Sequence, residues 1–522
     1  MNELSQLVPI IEAHAQELKK PGVISIRPGY RMQEGWPTKE PAIVVVTSQD
    51  AAPVALPPEL DGVKIEVRKA TNIEQYRHTN PGMFAKLADQ RPELRGGAFP
   101  EIDPVAEDVE EETEETSEGA RPKPQIPYTA PNGVPLSEVS GTIPILCHAS
   151  PDAGWPTLKE FLAKTRKTLT VGLYDFTSEH ILQAVEKGLA GNKTLRITLD
   201  NPPLNPSHDQ SDSDSLKALH EELGDSLQAA WALVRSNKAI QRWIYPSAYH
   251  IKVAVRDSEF VWLSSGNWNN SNQPAMDPFG DPSSTDQQTA RKSDRDWHVI
   301  IQHKGLASTL EAYLNHDYEV ALSAEGGAET MAVEPVGEIP SDFEVEARPA
   351  QWQFFEPLPI NTESMTITPL LTPDPGIYQP KMLELLNSAK KTLFIQLQYI
   401  HPSDKQADAD FTALIDAVVK KIKEGVDVRI ILSQYQTSQG WLDRLQAAGI
   451  DLDVVKIQNG VHNKGFVADS SVVALGSENW SGDGVLRNRD ASVIINNPTA
   501  AQYYEKIFLH DWKNIARQSV NQ

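Results

Sequence analysis

The chain has 522 residues, 40% of them hydrophobic, and a formal net charge of -23 at pH 7, enough apolar material for a large core and too much for a disordered protein. Cys147 is the single cysteine, so no intrachain disulfide can form and the thiol content points to a reducing, cytoplasmic setting. The opening MNELSQLVPIIEAHAQELKK mixes acidic residues with short apolar runs, unlike a signal peptide, and no later segment approaches the apolar length of a membrane span.

In chain order, Leu4, Leu7, Ile10, Ile11, His14 and Leu18 recur at helical spacing and precede the strand-like runs VISIRP, AIVVVTS and VKIEVRK. This predicts a small α+β domain over residues 1–98. Its 12 Lys and Arg balance 12 Asp and Glu over residues 1–100, which excludes a basic nucleic-acid arm. It holds no catalytic constellation, and regulation, assembly and substrate gating are the roles open to it. Residues 99–136 read as a linker, with ten Asp and Glu between 101 and 120 and no Lys or Arg. A second linker spans 323–352, with seven acidic residues between 324 and 347. These two runs hold 17 of the 23 net negative charges, so the folded parts are only mildly acidic and the runs read as solvated spacers.

The remaining segments, 137–322 and 353–522, are copies of each other. Each opens on Pro-Asp (Pro151-Asp152, Pro373-Asp374), then an amphipathic helix, then a strand: KTLTVGLYDF from Lys167 and KTLFIQLQYI from Lys391. A helix follows in each, with Ile181, Leu182, Val185 and Leu189 on one face in the first and Leu414, Ile415, Val418 and Ile422 in the second. The next strands are LRITL and VRIIL, and each copy closes on a helix bearing His316-Asp317-Tyr318 or His510-Asp511-Trp512. Strands alternating with helices predict an α/β layered domain with a largely parallel sheet, present twice.

Within each copy lies H-x-K, four residues, D, six residues, then [GS]-S-x-N. The instances are His250, Lys252, Asp257, Ser264, Ser265, Asn267 and His462, Lys464, Asp469, Gly476, Ser477, Asn479. Four fixed residue types would match by chance about once in 160,000 starts, so two matches at one spacing are no accident. His and Lys at i and i+2 of a strand share a face, and the Asn, past the next apolar strand, can return an amide to the same pocket. A phosphodiester monoanion repels anionic nucleophiles, so its cleavage needs fixed cations and amide donors around the equatorial oxygens. Lys252, Lys464, Asn267 and Asn479 offer that cradle, with Ser265 and Ser477 beside it. Neutral imidazole can attack phosphorus while a second imidazole moves the proton, so no metal or other cofactor is expected.

This duplicated pattern resembles the phospholipase D superfamily, over about residues 140–522. Ser264 stands where glycine is commoner. The resemblance implies two tandem phospholipase D-like α/β/α sandwich domains packed pseudo-symmetrically, with both motifs in one monomeric chain. It also implies His250 as nucleophile and His462 as acid and base. Asp296 and Asp490, in the matching SDRDWHVII and RNRDASVII, resemble the family's downstream acidic position, whose carboxylate orients a histidine, that of the other copy. A local ion pair with Arg295 or Arg489 is the plainer reading. Three functional classes follow: hydrolysis or transfer at a phospholipid head group, a nuclease, and a non-catalytic phosphate-binding protein. Two complete motifs disfavour the third, and the substrate leans to phospholipid.

Other candidates are weaker. His208, Asp209, Asp212 and Asp214 have the residue types of a metal site within what reads as a solvated loop. Arg235, Lys238 and Arg242, with Trp243, read as a helix with a solvated basic face or as an approach for an anionic substrate. Trp268 and Trp480 follow the motif asparagines and suit either a pocket wall or the core.

Overall fold

The computed structural model describes residues 3–82, 84, 129–200, 209–236, 240–243, 245, 247–284, 287–324, 352–374, 376–434, 437 and 439–518. The acidic runs at 101–120 and 325–347 lie outside the described residues.

At the N-terminus the expected single helix is three short pieces, Glu3–Gln6, Val8–Ala13 and Ala15–Leu18, broken at Leu7 and His14. Strands β1 (Val23–Gln33), β2 (Trp36–Thr47), β3 (Glu59–Leu60) and β4 (Val63–Lys69) form one sheet in the order β1-β2-β4-β3. Ile11, Leu18, Ile26, Ile43 and Val45 build its core. The sheet docks on the second half of the molecule: buried Arg27 pairs with buried Asp443 at 2.6 Å, and Lys39 with Asp451 at 2.7 Å.

The first half supplies β5 (Val139–Thr142), β6 (Ile145–Ser150), β7 (Thr168–Leu173), β8 (Thr194–Leu199) and β9 (Leu227–Trp231). A hairpin of β10 (Leu233–Ser236) and β11 (Ile240–Trp243) follows, then β12 (Lys252–Arg256), β13 (Phe260–Ser264) and β14 (Asp296–Gln302). The second half supplies β15 (Leu358–Ile360), β16 (Ser364–Thr372), β17 (Thr392–Leu397), β18 (Asp427–Ser433), β19 (Val455–Gln458), β20 (Lys464–Ala468), β21 (Val472–Gly476) and β22 (Asp490–Asn496). Two eight-stranded sheets result, β15-β6-β14-β13-β12-β7-β8-β9 and β5-β16-β22-β21-β20-β17-β18-β19, the same order strand for strand. The outermost short strands are exchanged: β5 pairs with β16 and β15 with β6, so the sheets cross the boundaries read from sequence.

The expectation of a largely parallel sheet fails. Each sheet is parallel only along three strands, β7-β8-β9 and β17-β18-β19, and antiparallel elsewhere. The cause is the motif itself. Asp257-Ser258 and Asp469-Ser470 take positive φ values of 55°, 52°, 51° and 54°, the two-residue hairpin turn that reverses the chain between the motif strand and its apolar successor. Parallel neighbours need a crossover, and each half has two that carry a helix: Glu179–Leu189 and Asp212–Leu223 in the first, Ala409–Lys423 and Gln439–Ala447 in the second.

One apolar cluster covers the outer face of each sheet. A third lies between the halves and draws Val253, Val299 and Leu310 from one and Val467, Val493 and Tyr504 from the other. Removing that much apolar surface from water is the main force joining the halves. Among the described residues no helix is long and apolar enough to cross a membrane.

Candidate active site

His250 and His462 each stand two residues before the strand-opening residues Lys252 and Lys464, in β12 and β20 at the middle of their sheets. Both lysines are buried. The two imidazoles face each other across the joint between the halves, with ring centroids 6.4 Å apart at 55°. His250 Nδ1 lies 2.8 Å from Asp490 Oδ1, and His462 Nδ1 lies 3.1 Å from Asp296 Oδ1. Each histidine is therefore held by the carboxylate of the other half. An acceptor on Nδ1 fixes the tautomer that leaves the Nε2 lone pair toward the gap. Each lysine donates Nζ to the carbonyl of its own histidine, and Lys464 Nζ also lies 3.1 Å from His462 Nε2. Tyr174 packs edge-on against His250, at 4.9 Å between ring centroids.

Ser265 and Ser477, expected beside the phosphate, turn to the carboxylates instead. Ser265 Oγ donates to Asp296 Oδ1 at 2.7 Å and Ser477 Oγ to Asp490 Oδ1 at 2.6 Å. Each hydroxyl also accepts from the backbone N–H of the residue after that carboxylate, so both are committed to aiming Asp296 and Asp490. Asn267 and Asn479 are buried, and the amide oxygens have no partner among the described residues. Asp257 and Asp469 sit at the hairpin turns away from the gap. They accept backbone N–H groups at 166–168 and 390–392, which fastens the start of β7 or β17 to the turn. Burial works against their charge, but the backbone donors outweigh it and hold both carboxyls below the usual range.

Burial, Lys252 and Lys464 push His250 well below the ordinary imidazole range. Burial and Lys464 bring His462 down to about 4, against the opposite pull of Asp296. The lysines are strained as well: burial and Lys464 push Lys252 well down, and burial brings Lys464 to about 8. Two ammonium groups crowded into one buried gap form a cradle that an anion would stabilise.

The two carboxylates differ. Asp296 also receives Asn272 Nδ2 on its second oxygen at 3.0 Å. Burial opposes its charge, but His462 and Lys464 prevail and hold it below its ordinary value. The second oxygen of Asp490 is buried without a partner among the described residues. Burial and the neighbouring Glu478 push Asp490 well up. Glu478, itself buried and raised to about 7 mainly by burial, occupies the place that Gly266 takes in the first motif. A side chain at Gly266 would meet Asp296 Oδ2 at 2.7 Å.

The Arg-Asp pairs are not local ion pairs. Arg295 gives two hydrogen bonds to Asp511 (2.9 and 3.1 Å) and one to Asp152 (3.0 Å). Arg489 gives two to Asp317 (2.9 and 3.0 Å) and one to Asp374. These four aspartates are the Pro-Asp and His-Asp-aromatic marks of the repeat. Their recurrence was visible in sequence, but their use was not, because the partners lie more than a hundred residues apart.

The remaining candidates leave the site. Trp268 packs with Phe176 and Trp262, and Trp480 with Phe411 and Phe466, all in the outer cores. His208 and Lys238 lie outside the described residues. Asp212 and Asp214 begin the helix Asp212–Leu223 rather than a solvated loop: buried Asp212 accepts Phe176 N–H at 2.6 Å, Asp214 caps with Ser211, and Asp209 accepts Glu179 N–H. Arg235, Arg242 and Trp243 lie on the β10-β11 hairpin, not on a helix. No group of three or more His, Cys, Asp or Glu suited to a metal occurs among the described residues.

Residues 382–512, which hold the second motif and Asp490, match the family described as cardiolipin synthase, PLD-like domain. Residues 382–512 thus carry a phospholipase D-like domain. Three relatives illustrate the range of proteins that the chain is similar to. A phospholipase D of Rickettsia conorii is 35% identical over 105 residues, which is 20% of this chain and 48% of that one. The virion nicking-joining enzyme of Vaccinia virus is 29% identical over 134 residues, 25% of this chain and 32% of that one. A cardiolipin synthase of Clostridium perfringens is 29% identical over 137 residues, 25% of this chain and 27% of that one. The chain thus matches less than half the length of each of these relatives. The solved phosphatidylserine synthase of Haemophilus influenzae is 15% identical, with a TM-score of 0.47, over 73% of this chain and 91% of that one.

Proposed function

We propose that the protein is a phosphodiesterase of phospholipase D type, with one active site shared by His250 and His462. The observation that carries this reading is the facing pair of imidazoles, each tied through Nδ1 to the other half's carboxylate. On this reading 137–322 and 353–522 are two pseudo-symmetric domains of a monomer, and 1–98 is an accessory domain.

His250 is the nucleophile. Its Nε2 forms a bond to phosphorus as the bond from phosphorus to the leaving oxygen breaks, and protonated His462 gives that oxygen its proton. Water then loses a proton to His462 and attacks, and the P–N bond breaks. The electrostatics support this division. His462 faces an ionised Asp296, so it takes a proton more readily than His250, which faces a carboxyl pushed toward neutrality. A bound phosphodiester adds negative charge to the gap and raises His462 from about 4 toward working pH. Lys252, Lys464, Asn267 and Asn479 take the charge on the equatorial oxygens, so turnover should survive a chelator.

A phospholipid head group is the favoured substrate, supported by the relatives named phospholipase D and cardiolipin synthase. A nucleic-acid phosphodiester is the second reading, supported by the relative named nicking-joining enzyme. Assays on bis-p-nitrophenyl phosphate, phosphatidylcholine and single- and double-stranded DNA separate the two. Acid quenching during turnover of the activated aryl ester should leave a phosphohistidine on the His250 peptide, and more of it in His462→Asn. An adduct on His462 reverses the roles. A burst of leaving group with no adduct on either peptide refutes the histidine nucleophile.

A further inference from the structure

We infer that Arg295 and Arg489 are positioning residues, each plugging one half into the other so that its neighbouring aspartate meets the opposite histidine. The inference rests on the shared-site reading above and assigns the charge network that holds the site in register.

Each arginine is fully buried, and its two-pronged bond crosses the joint. Arg295 of the first half grips Asp511 on the helix Pro498–Asn514, and Arg489 of the second grips Asp317 on Lys304–Ala324. The third bond, to Asp152 or Asp374, stays within the arginine's own half. The backbone repeats the connection. Arg295 bridges Val461 and its carbonyl accepts His462 N–H at 3.2 Å, while Arg489 bridges Tyr249 and donates its N–H to Ala248 O at 2.9 Å. Each arginine is thus fastened beside the histidine that its own following residue must orient. Moving it would shift Asp296 against His462, or Asp490 against His250. The same clamp in both halves, built from equivalent residues, argues against a chance ion pair. A buried guanidinium between two carboxylates keeps its place only while every bond is made.

Lysine keeps the charge but cannot make the two-pronged bond, so Arg295→Lys and Arg489→Lys in the full chain are the test. NMR of labelled histidine side chains reads the tautomer at each imidazole without any substrate. Arg295→Lys should lose the Nδ1–H form at His462 and keep it at His250, and Arg489→Lys the reverse. Turnover should fall about 100-fold in each, the scale of a small misplacement of a catalytic group. A folded Arg295→Lys protein with both tautomers intact, or with both disturbed alike, overturns the inference. If Arg295→Lys does not fold, Asp511→Asn removes the same grip and is read the same way. A wild-type chain that cleaves no phosphodiester would sink the proposed function, whereas the tautomer result would still decide the clamp.

Discussion

The two halves present the same residues at the same spacing and yet different electrostatics. Around Asp296 three donors converge, from His462, Ser265 and Asn272, and the carboxylate stays charged. Around Asp490 there are two, from His250 and Ser477, with Glu478 buried alongside, and the carboxyl is driven toward its neutral form. Gly266 against Glu478 inside the motif, with Asn272 bonded to Asp296 alone, thus separates two imidazoles whose signature residues are the same. A duplicated site can divide the labour of nucleophile and acid-base without altering either signature residue.

Neutralising each carboxylate in turn should separate the two halves most. Asp296→Asn removes a charge that His462 needs to take up and return a proton, and the amide can present a donor that imposes the wrong tautomer. Loss of about 10⁴-fold in kcat is expected, the scale seen when such an aspartate is replaced in a serine protease triad. Asp490→Asn resembles the neutral form already favoured there and should cost about 100-fold. Steady-state kinetics of both variants on one aryl phosphodiester check the ranking. Equal losses would mean that the two carboxylates carry the same charge.

Glu478 adds a pH-dependent difference between the halves. Its carboxyl is raised from an ordinary 4.5 to about 7, chiefly by burial, with Ser492, Ser477 and Lys252 pulling the other way and Asp490 and Tyr378 as further neighbours. A raised carboxyl means that the folded state holds the proton more tightly than the unfolded chain. Its stabilising effect is therefore full below pH 4.5 and is lost as pH rises through about 7. Glu478→Gln stays neutral throughout. Relative to wild type it should gain up to about 3 kcal/mol between pH 5 and pH 9, the product of the shift and the 1.36 kcal/mol per unit. Denaturant titrations at the two pH values measure this. A constant difference would show that Glu478 titrates normally, and with it the account of Asp490 would fail.

How much could be read beforehand follows from the range of each interaction. His250, Lys252, His462 and Lys464 were legible because the same short spacing recurs in both copies, a local signal, although only the lysines lie in strands. The helices and strands of the two copies were legible from periodicity for the same reason. Strand direction was not, since an alternating or apolar run has the same composition whichever way it pairs, and only the hairpin at Asp257-Ser258 settles it. The exchange of β5 and β15 between sheets and the grips of Arg295 and Arg489 are contacts between distant segments. No local pattern encodes them, although the repeated Asp152, Asp317, Asp374 and Asp511 marked where to look. The pairing of each histidine with the other copy's aspartate came from family resemblance rather than from spacing. Ser265 and Ser477 were misassigned because a hydroxyl beside a phosphate cradle and one beside a carboxylate look alike in sequence.

The smallest expected effect concerns the motif aspartates at the hairpin turns. Asp257 and Asp469 turn the hairpin and accept three backbone N–H groups each; neither faces the gap. Here the two halves should behave alike. Asp257→Asn and Asp469→Asn keep the shape but weaken charge-assisted bonds, and each should cost about 1–2 kcal/mol of stability with kcat within about twofold of wild type. Because both carboxyls lie below their ordinary range, their contribution is present above the unfolded-state value and is lost as pH falls through the folded-state one. The gap between wild type and variant should accordingly narrow in acid, which thermal melts at pH 7 and pH 3 can follow. A large fall in kcat with unchanged stability in either variant would place that aspartate in the chemistry and overturn its assignment to the turn.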